Sequence, residues 1–239
     1  MCESDADNLG KSYGSTEYVP IRGVALDMDG LLFDTEKLYW QVGDTVLQRR
    51  GHRFSAELQQ RMMGRVGVSA IQQMIDFHLL NDNPNELLAE SEAIYDGLLI
   101  NGPDPMPGLA LWIDFLREKK IRFGLSTSSQ RKYVDRIFSE IEWRNELSFV
   151  LTGDDVVNGK PHPEMYLKAA SLFEIDPGEM LVLEDSGNGC AAGVASGAQT
   201  VAVPSEHTQK QNFAGAILVA KSLHDPMLWD YVQKRSPAE

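Results

Sequence analysis

The sequence predicts an α/β protein built on a doubly wound parallel sheet, with a helical domain inserted after the first strand. Three observations predict it. The apolar, β-rich run from Ile21 to Met28 breaks at Asp29-Gly30, the pattern of a buried strand ending in a loop. Residues 36–104 then carry apolar side chains at helical spacing, with no strand pattern between them. From residue 109 onward helical and strand patterns alternate, which calls for crossover connections and a parallel sheet covered by helices on both faces.

Taken in order, residues 1–19 hold Glu3, Asp5, Asp7 and Glu17 and no apolar stretch, so they read as a flexible tail rather than a signal or transit peptide. The core is expected over 20–35 and 105–239, and the inserted cap over 36–104. Within the cap the helical spacing is carried by Leu38/Val42/Val46, Leu58/Met62, Ile71/Met74/Ile75 and a run over 87–99. The string Asn101-Gly102-Pro103-Asp104-Pro105-Met106-Pro107-Gly108 is dense in turn-formers and marks the return to the core. Helices are then expected over 109–119, from about 130, over 163–173 and over 189–196. Strands are expected over 121–126, 149–152, 180–183, 200–203 and 216–219.

A chain of 239 residues, 43% apolar and 24% charged, is long enough to bury a sizeable core. Its formal net charge of -13 argues against nucleic acid or an anionic membrane as partner, because such surfaces are met with an excess of Lys and Arg. Cys2 and Cys190 cannot form a disulfide framework, so a reducing cytoplasm is the expected setting. No window approaches the ~20 apolar residues that span a bilayer, and a soluble monomer is expected.

In a doubly wound sheet ligands bind beyond the carboxyl ends of the strands. Those ends hold Asp27, Asp29, Ser126, Thr127, Lys160, Glu184 and Asp185. Carboxylates gathered there against a single ammonium repel one another unless a cation shares the site, and hard oxygen ligands of this kind suit Mg²⁺.

The string Asp27-Met28-Asp29-Gly30-Leu31-Leu32-Phe33-Asp34-Thr35 resembles the first motif of the haloacid-dehalogenase superfamily, D-x-D-G-x-x-x-D-[TS]. Leu125-Ser126-Thr127-Ser128-Ser129, Gly159-Lys160-Pro161-His162-Pro163-Glu164 and Leu183-Glu184-Asp185-Ser186 resemble the three motifs that follow, in the same order. The resemblance spans roughly residues 21–225 and implies a Rossmann-like core, a helical cap and Mg²⁺-dependent hydrolysis of a small phosphate monoester. It implies that Asp27 is the nucleophile, forming an aspartyl-phosphate, and that Asp29 protonates the leaving alcohol and then activates water. Thr127 and the Ser128 N–H would hold the non-transferring oxygens, with Lys160 neutralising charge on nucleophile and phosphoryl group. Glu184 and Asp185, with Asp27 and the Asp29 carbonyl, would bind the Mg²⁺. Asp34 and Thr35 read as hinge and helix-cap residues rather than chemical groups.

Other features have plainer readings. Gly187-Asn188-Gly189-Cys190-Ala191-Ala192-Gly193 departs from a dinucleotide fingerprint by one residue and fits close helix–sheet packing, with Cys190 a small buried residue. His162 fits a loop or cap beside the helix expected at Pro163. In the cap, Gly64-Arg65 interrupts the helical pattern, so Arg65 is either a substrate contact over the crevice or a solvated side chain after a helix end. The closest alternative is β-phosphoglucomutase-type phosphoryl transfer. Tyr39 stands where that enzyme carries a cap-hinge His, and Gly64-Arg65 replaces its Gly-x-x-Arg loop, which favours water as acceptor. A dehalogenase would not need Asp29, and a non-catalytic phosphate-metabolite binding module would be expected to lack the nucleophile or the acid.

Overall fold

The computed structural model describes residues 18–62, 65 and 67–236. Six parallel strands form one sheet in the order β3-β2-β1-β4-β5-β6. They are β1 (Gly23–Leu26), β2 (Arg122–Ser126), β3 (Val150–Leu151), β4 (Met180–Glu184), β5 (Gln199–Ala202) and β6 (Leu218–Val219). β1 and β4 lie at the centre and every residue in them is buried. The period of two along each central strand separates two cores. Val24, Leu26, Leu181 and Leu183 face one, while Ala25, Met180 and Val182 face the other.

The first core is closed by α5 (Leu109–Glu118), α6 (Arg131–Ile137) and α9 (Pro226–Gln233), with Trp112 fully buried among them. The second is closed by α7 (Glu164–Phe173) and α8 (Gly187–Ala195). Small residues let these helices approach. A Cβ on Gly23 would meet the Phe173 ring at 2.9 Å, and one on Gly193 would meet Thr200 Oγ1 at 2.6 Å.

Between β1 and β2 the chain forms α1 (Thr35–Gln48), α2 (Ala56–Met62), α3 (Val68–His78) and α4 (Pro84–Leu98), all helical as the spacing predicts. Asp34 caps α1, its carboxylate accepting from Lys37 N at 3.3 Å. The outgoing and returning passages run side by side: Asp34 N donates to Asp104 O at 2.8 Å, and Met106 N to Leu32 O at 2.9 Å. Arg50 ties the end of α1 to α4, reaching Asp82 and Glu90 at 2.8 Å each.

The structure departs from the sequence reading in two places, and most of the expected tail lies outside what it describes. α9 was not expected, although Asp225 accepting from Met227 N at 2.9 Å, with Pro226 in the first turn, is an ordinary start signal. α8 begins two residues early because Ser186 Oγ accepts from Gly189 N at 3.1 Å. Of the tail's described residues, Tyr18 is anchored, with the Arg235 guanidinium 4.3 Å over its ring. Among the described residues no helix is long and apolar enough to cross a membrane.

Candidate active site

The strand order reverses on either side of β1, so loops from β1, β2 and β4 open into one crevice at their carboxyl ends. Asp27 is the first residue past β1 and is 6% exposed. Lys160, on the loop before α7, donates from Nζ to Asp27 Oδ1 at 2.6 Å, to Glu184 Oε1 at 2.6 Å and to the Ser126 carbonyl at 2.9 Å. One ammonium thus joins the ends of β1, β2 and β4. Glu184 is fully buried and held on both oxygens, Oε1 by Lys160 and the Tyr166 hydroxyl at 2.7 Å, and Oε2 by Ser186 Oγ at 3.0 Å.

Asp29 sits two residues on, and the loop has turned its carboxylate away from Asp27 toward three hydroxyls. Thr35 donates to Oδ1 at 2.7 Å, while Thr127 and Ser129 donate to Oδ2 at 3.0 and 2.8 Å. The turn passes through Gly30 at φ +76°, where a Cβ would press on the Asp185 carboxylate. Thr208 Oγ1 donates to Asp185 Oδ2 at 3.2 Å.

Asp27, Glu184 and Asp185 offer ligand oxygens within 4.8 Å of one another. Hydrogen bonds from described residues reach Asp27 Oδ1 and Asp185 Oδ2, leaving the second oxygen of each carboxylate open. Three buried carboxylates against one ammonium leave the cluster short of positive charge. Burial therefore pushes the Asp27 carboxyl up to about 8, against the pull of Lys160, with Glu184 and Asp29 adding repulsion. Burial likewise raises the Asp185 carboxyl well above its ordinary range. Lys160 is held protonated, its two carboxylate neighbours outweighing burial. Hard oxygens, excess negative charge and open lone pairs fit a divalent cation.

The sequence-predicted residues do not all converge. Asp27, Asp29, Thr127, Lys160, Glu184 and Asp185 come together, and Ser128 lies exposed at the rim. Arg65 does not reach the crevice: it is exposed, and its Nε donates to the Arg61 carbonyl at 3.1 Å, while neighbouring Gly64 lies outside the described residues. Thr35, expected only to link core and cap, is fully buried and holds Asp29. Ser129 and Tyr166 were not singled out in the sequence. Cys190 is buried as expected, and His162 Nδ1 accepts from Glu164 N at 3.3 Å as a cap. A crevice of about 340 Å³ is lined by Gly30 and, around it, Asp34, Glu36, Ser205, Glu206 and His207.

The model of the haloacid dehalogenase-like hydrolases matches residues 24–203. The chain is 31% identical over 219 residues to (DL)-glycerol-3-phosphatase 1 of Arabidopsis thaliana, covering 87% of this chain and 73% of the relative. It is 31% identical over 205 residues to a probable pseudouridine-5'-phosphatase of Drosophila melanogaster, covering 83% and 88%. Its structure is similar to that of a putative beta-phosphoglucomutase from Thermotoga maritima, with a TM-score of 0.72 at 25% identity over 90% of this chain and 99% of that one.

Proposed function

Because the chain belongs to the haloacid dehalogenase-like hydrolases and is a phosphoric monoester hydrolase of that family, we propose that it releases phosphate from a small phosphorylated metabolite, a sugar or polyol phosphate or a similar monophosphate, through an aspartyl-phosphate on Asp27. The observation that carries this reading is the division of labour between Asp27 and Asp29. Asp27 is turned onto Lys160 at the acidic, metal-fitting end of the crevice, and Asp29 is turned onto three hydroxyls.

Asp27 attacks phosphorus in line, and Lys160 neutralises charge on the nucleophile and the incoming phosphoryl group. Mg²⁺, held by Asp27, Asp185 and Glu184 with the Asp29 carbonyl, would screen the phosphate so that one anion can attack another. Asp29, oriented by Thr35, Thr127 and Ser129, protonates the leaving oxygen and then takes a proton from the water that attacks phosphorus, breaking its bond to the Asp27 oxygen and releasing phosphate. The four helices over 35–98 act as the cap that shields this step. Tyr39 at the cap hinge favours water over a returning sugar hydroxyl as acceptor.

The test is phosphate release from a panel of sugar, polyol and nucleoside monophosphates, with Mg²⁺ and with chelator. Release that requires the divalent ion supports the reading. Release unaffected by chelator overturns the metal assignment, and accumulation of an isomerised sugar phosphate ahead of free phosphate overturns hydrolysis in favour of transfer.

A further inference from the structure

Asp29 has to serve in two protonation states, first as an acid and then as a base, without losing its place. Its carboxylate accepts from Thr35 on Oδ1 and from Thr127 and Ser129 on Oδ2. A hydroxyl carries one proton, so each of these three commits it to Asp29 and its own oxygen is left to accept from a further donor. Thr127 Oγ1 accepts from Ser129 N at 3.1 Å. Ser129 Oγ has the hydroxyl of Tyr39, a residue of the cap, as its partner.

Tyr39 is held where that bond needs it. It lies one turn after Thr35 on α1, so the two residues that reach the Asp29 cluster from the cap share a face of the helix. Its ring stacks on Tyr95 of α4, with centroids 4.8 Å apart and planes 11° from parallel, and the two hydroxyls share a hydrogen bond. Tyr95 in turn meets Tyr133 of α6 edge-on at 4.9 Å, which ties the pair to the core. With Asp29 ionised, donation runs one way, from Tyr39 to Ser129 to Asp29 Oδ2, and each bond polarises the next. A proton on Oδ2 displaces one of its two donors. Ser129 then turns its proton toward Tyr39, whose own proton turns toward Tyr95. Hydroxyl rotation alone serves both states, and no heavy atom has to move.

We propose that Tyr39 is a positioning residue for the acid–base step: acting through Ser129, its hydroxyl keeps the Asp29 carboxyl in one place whether it is protonated or ionised. This rests on the phosphatase reading above and adds to it a cap residue that acts on the acid–base group.

The test uses Tyr39→Phe, which keeps the ring and its stacking, with Ser129→Ala and the double variant. Each is compared with the wild type in kcat/KM, which reports the steps up to the first loss of the leaving group. Two esters are used: the alkyl monophosphate of the panel above that is turned over fastest, and p-nitrophenyl phosphate. The alkyl ester leaves as an alcohol that needs a proton, whereas p-nitrophenolate is stable without one. The proposal expects Tyr39→Phe to lower kcat/KM on the alkyl ester about tenfold, the loss of one neutral hydrogen bond, and to leave p-nitrophenyl phosphate unchanged. It also expects Tyr39→Phe to cost nothing further once Ser129 is alanine, because the two act in series. An equal loss on both esters, no loss on either, or additive losses in the double variant overturns it and leaves the phosphatase reading standing. So does a wild type active on p-nitrophenyl phosphate alone, since Asp29 then delivers no proton. A wild type that releases phosphate from neither ester overturns both.

Discussion

Tyr166 donates its hydroxyl to Glu184 Oε1 at 2.7 Å while its ring lies 5.2 Å beneath the Lys160 ammonium that shares the same oxygen. A helix on one face of the sheet thereby fixes the acid–base pair at the end of β4. Tyr166→Phe removes that bond and keeps the ring. We expect it to lower the unfolding free energy by about 1.5–3 kcal/mol, the range for a hydrogen bond to a charged group. Urea unfolding of the two proteins measures it.

Asp29 is oriented by three hydroxyls from two segments, the start of α1 and the loop after β2, and Thr35 supplies the only one on Oδ1 among the described residues. Thr35→Val preserves shape and removes that donor. A carboxyl free to rotate is a poorer acid and base, so kcat should fall by a factor on the order of 10 to 100, a part of what general acid–base catalysis supplies. KM should move little; a rise in KM at constant kcat would place Thr35 in substrate binding instead.

Gly189 allows the first turn of α8 to pass directly over Glu184, where a Cβ would fall on the carboxylate. Gly189→Ala must displace Glu184 and strand Lys160 without half its compensation. The expected cost is roughly 3–5 kcal/mol, the scale for breaking a buried ion pair. A Tm within a degree or two of the wild type would show that the carboxylate has another resting place.

Much of this was legible in the sequence, for a definable reason. Asp27 and Asp185 stand at strand ends, and the pattern of strands alternating with helices brings strand ends together whatever the loops do; Lys160, on the loop between β3 and α7, was legible only through its motif. The donors that orient them were not legible. Ser129 reaches Asp29 across 100 residues, and Tyr166 reads as an ordinary buried face of α7 until its hydroxyl is seen on Glu184. Side-chain aim is set by packing, which periodicity does not report. Arg65 illustrates the converse: a Gly-Arg pair in the cap looks like a reaching residue, yet its guanidinium finds a carbonyl one helical turn back.

The crowded carboxylates make a pH prediction. The Asp27 carboxyl is raised to about 8, chiefly by burial, and Asp185 moves the same way. A carboxyl whose pKa is raised on folding holds its proton more tightly in the folded chain. Metal-free protein is thus stabilised at low pH and loses that stability as pH climbs from about 4 through about 8. Mg²⁺ binds the ionised form, so the gap in Tm between protein with Mg²⁺ and protein with chelator should widen over the same window and level off above it. A gap constant with pH would mean that the cluster is already ionised without metal.

The most direct test of the account is to trap the covalent intermediate. Wild type and Asp27→Asn are mixed with a phosphorylated substrate and Mg²⁺, quenched in acid within milliseconds to seconds, digested and mapped by mass. The account predicts a phosphoryl group on the peptide carrying Asp27 in the wild type, none in Asp27→Asn, and loss of phosphate release in the variant. A phosphoryl group on any other residue, or undiminished release by Asp27→Asn, would contradict it.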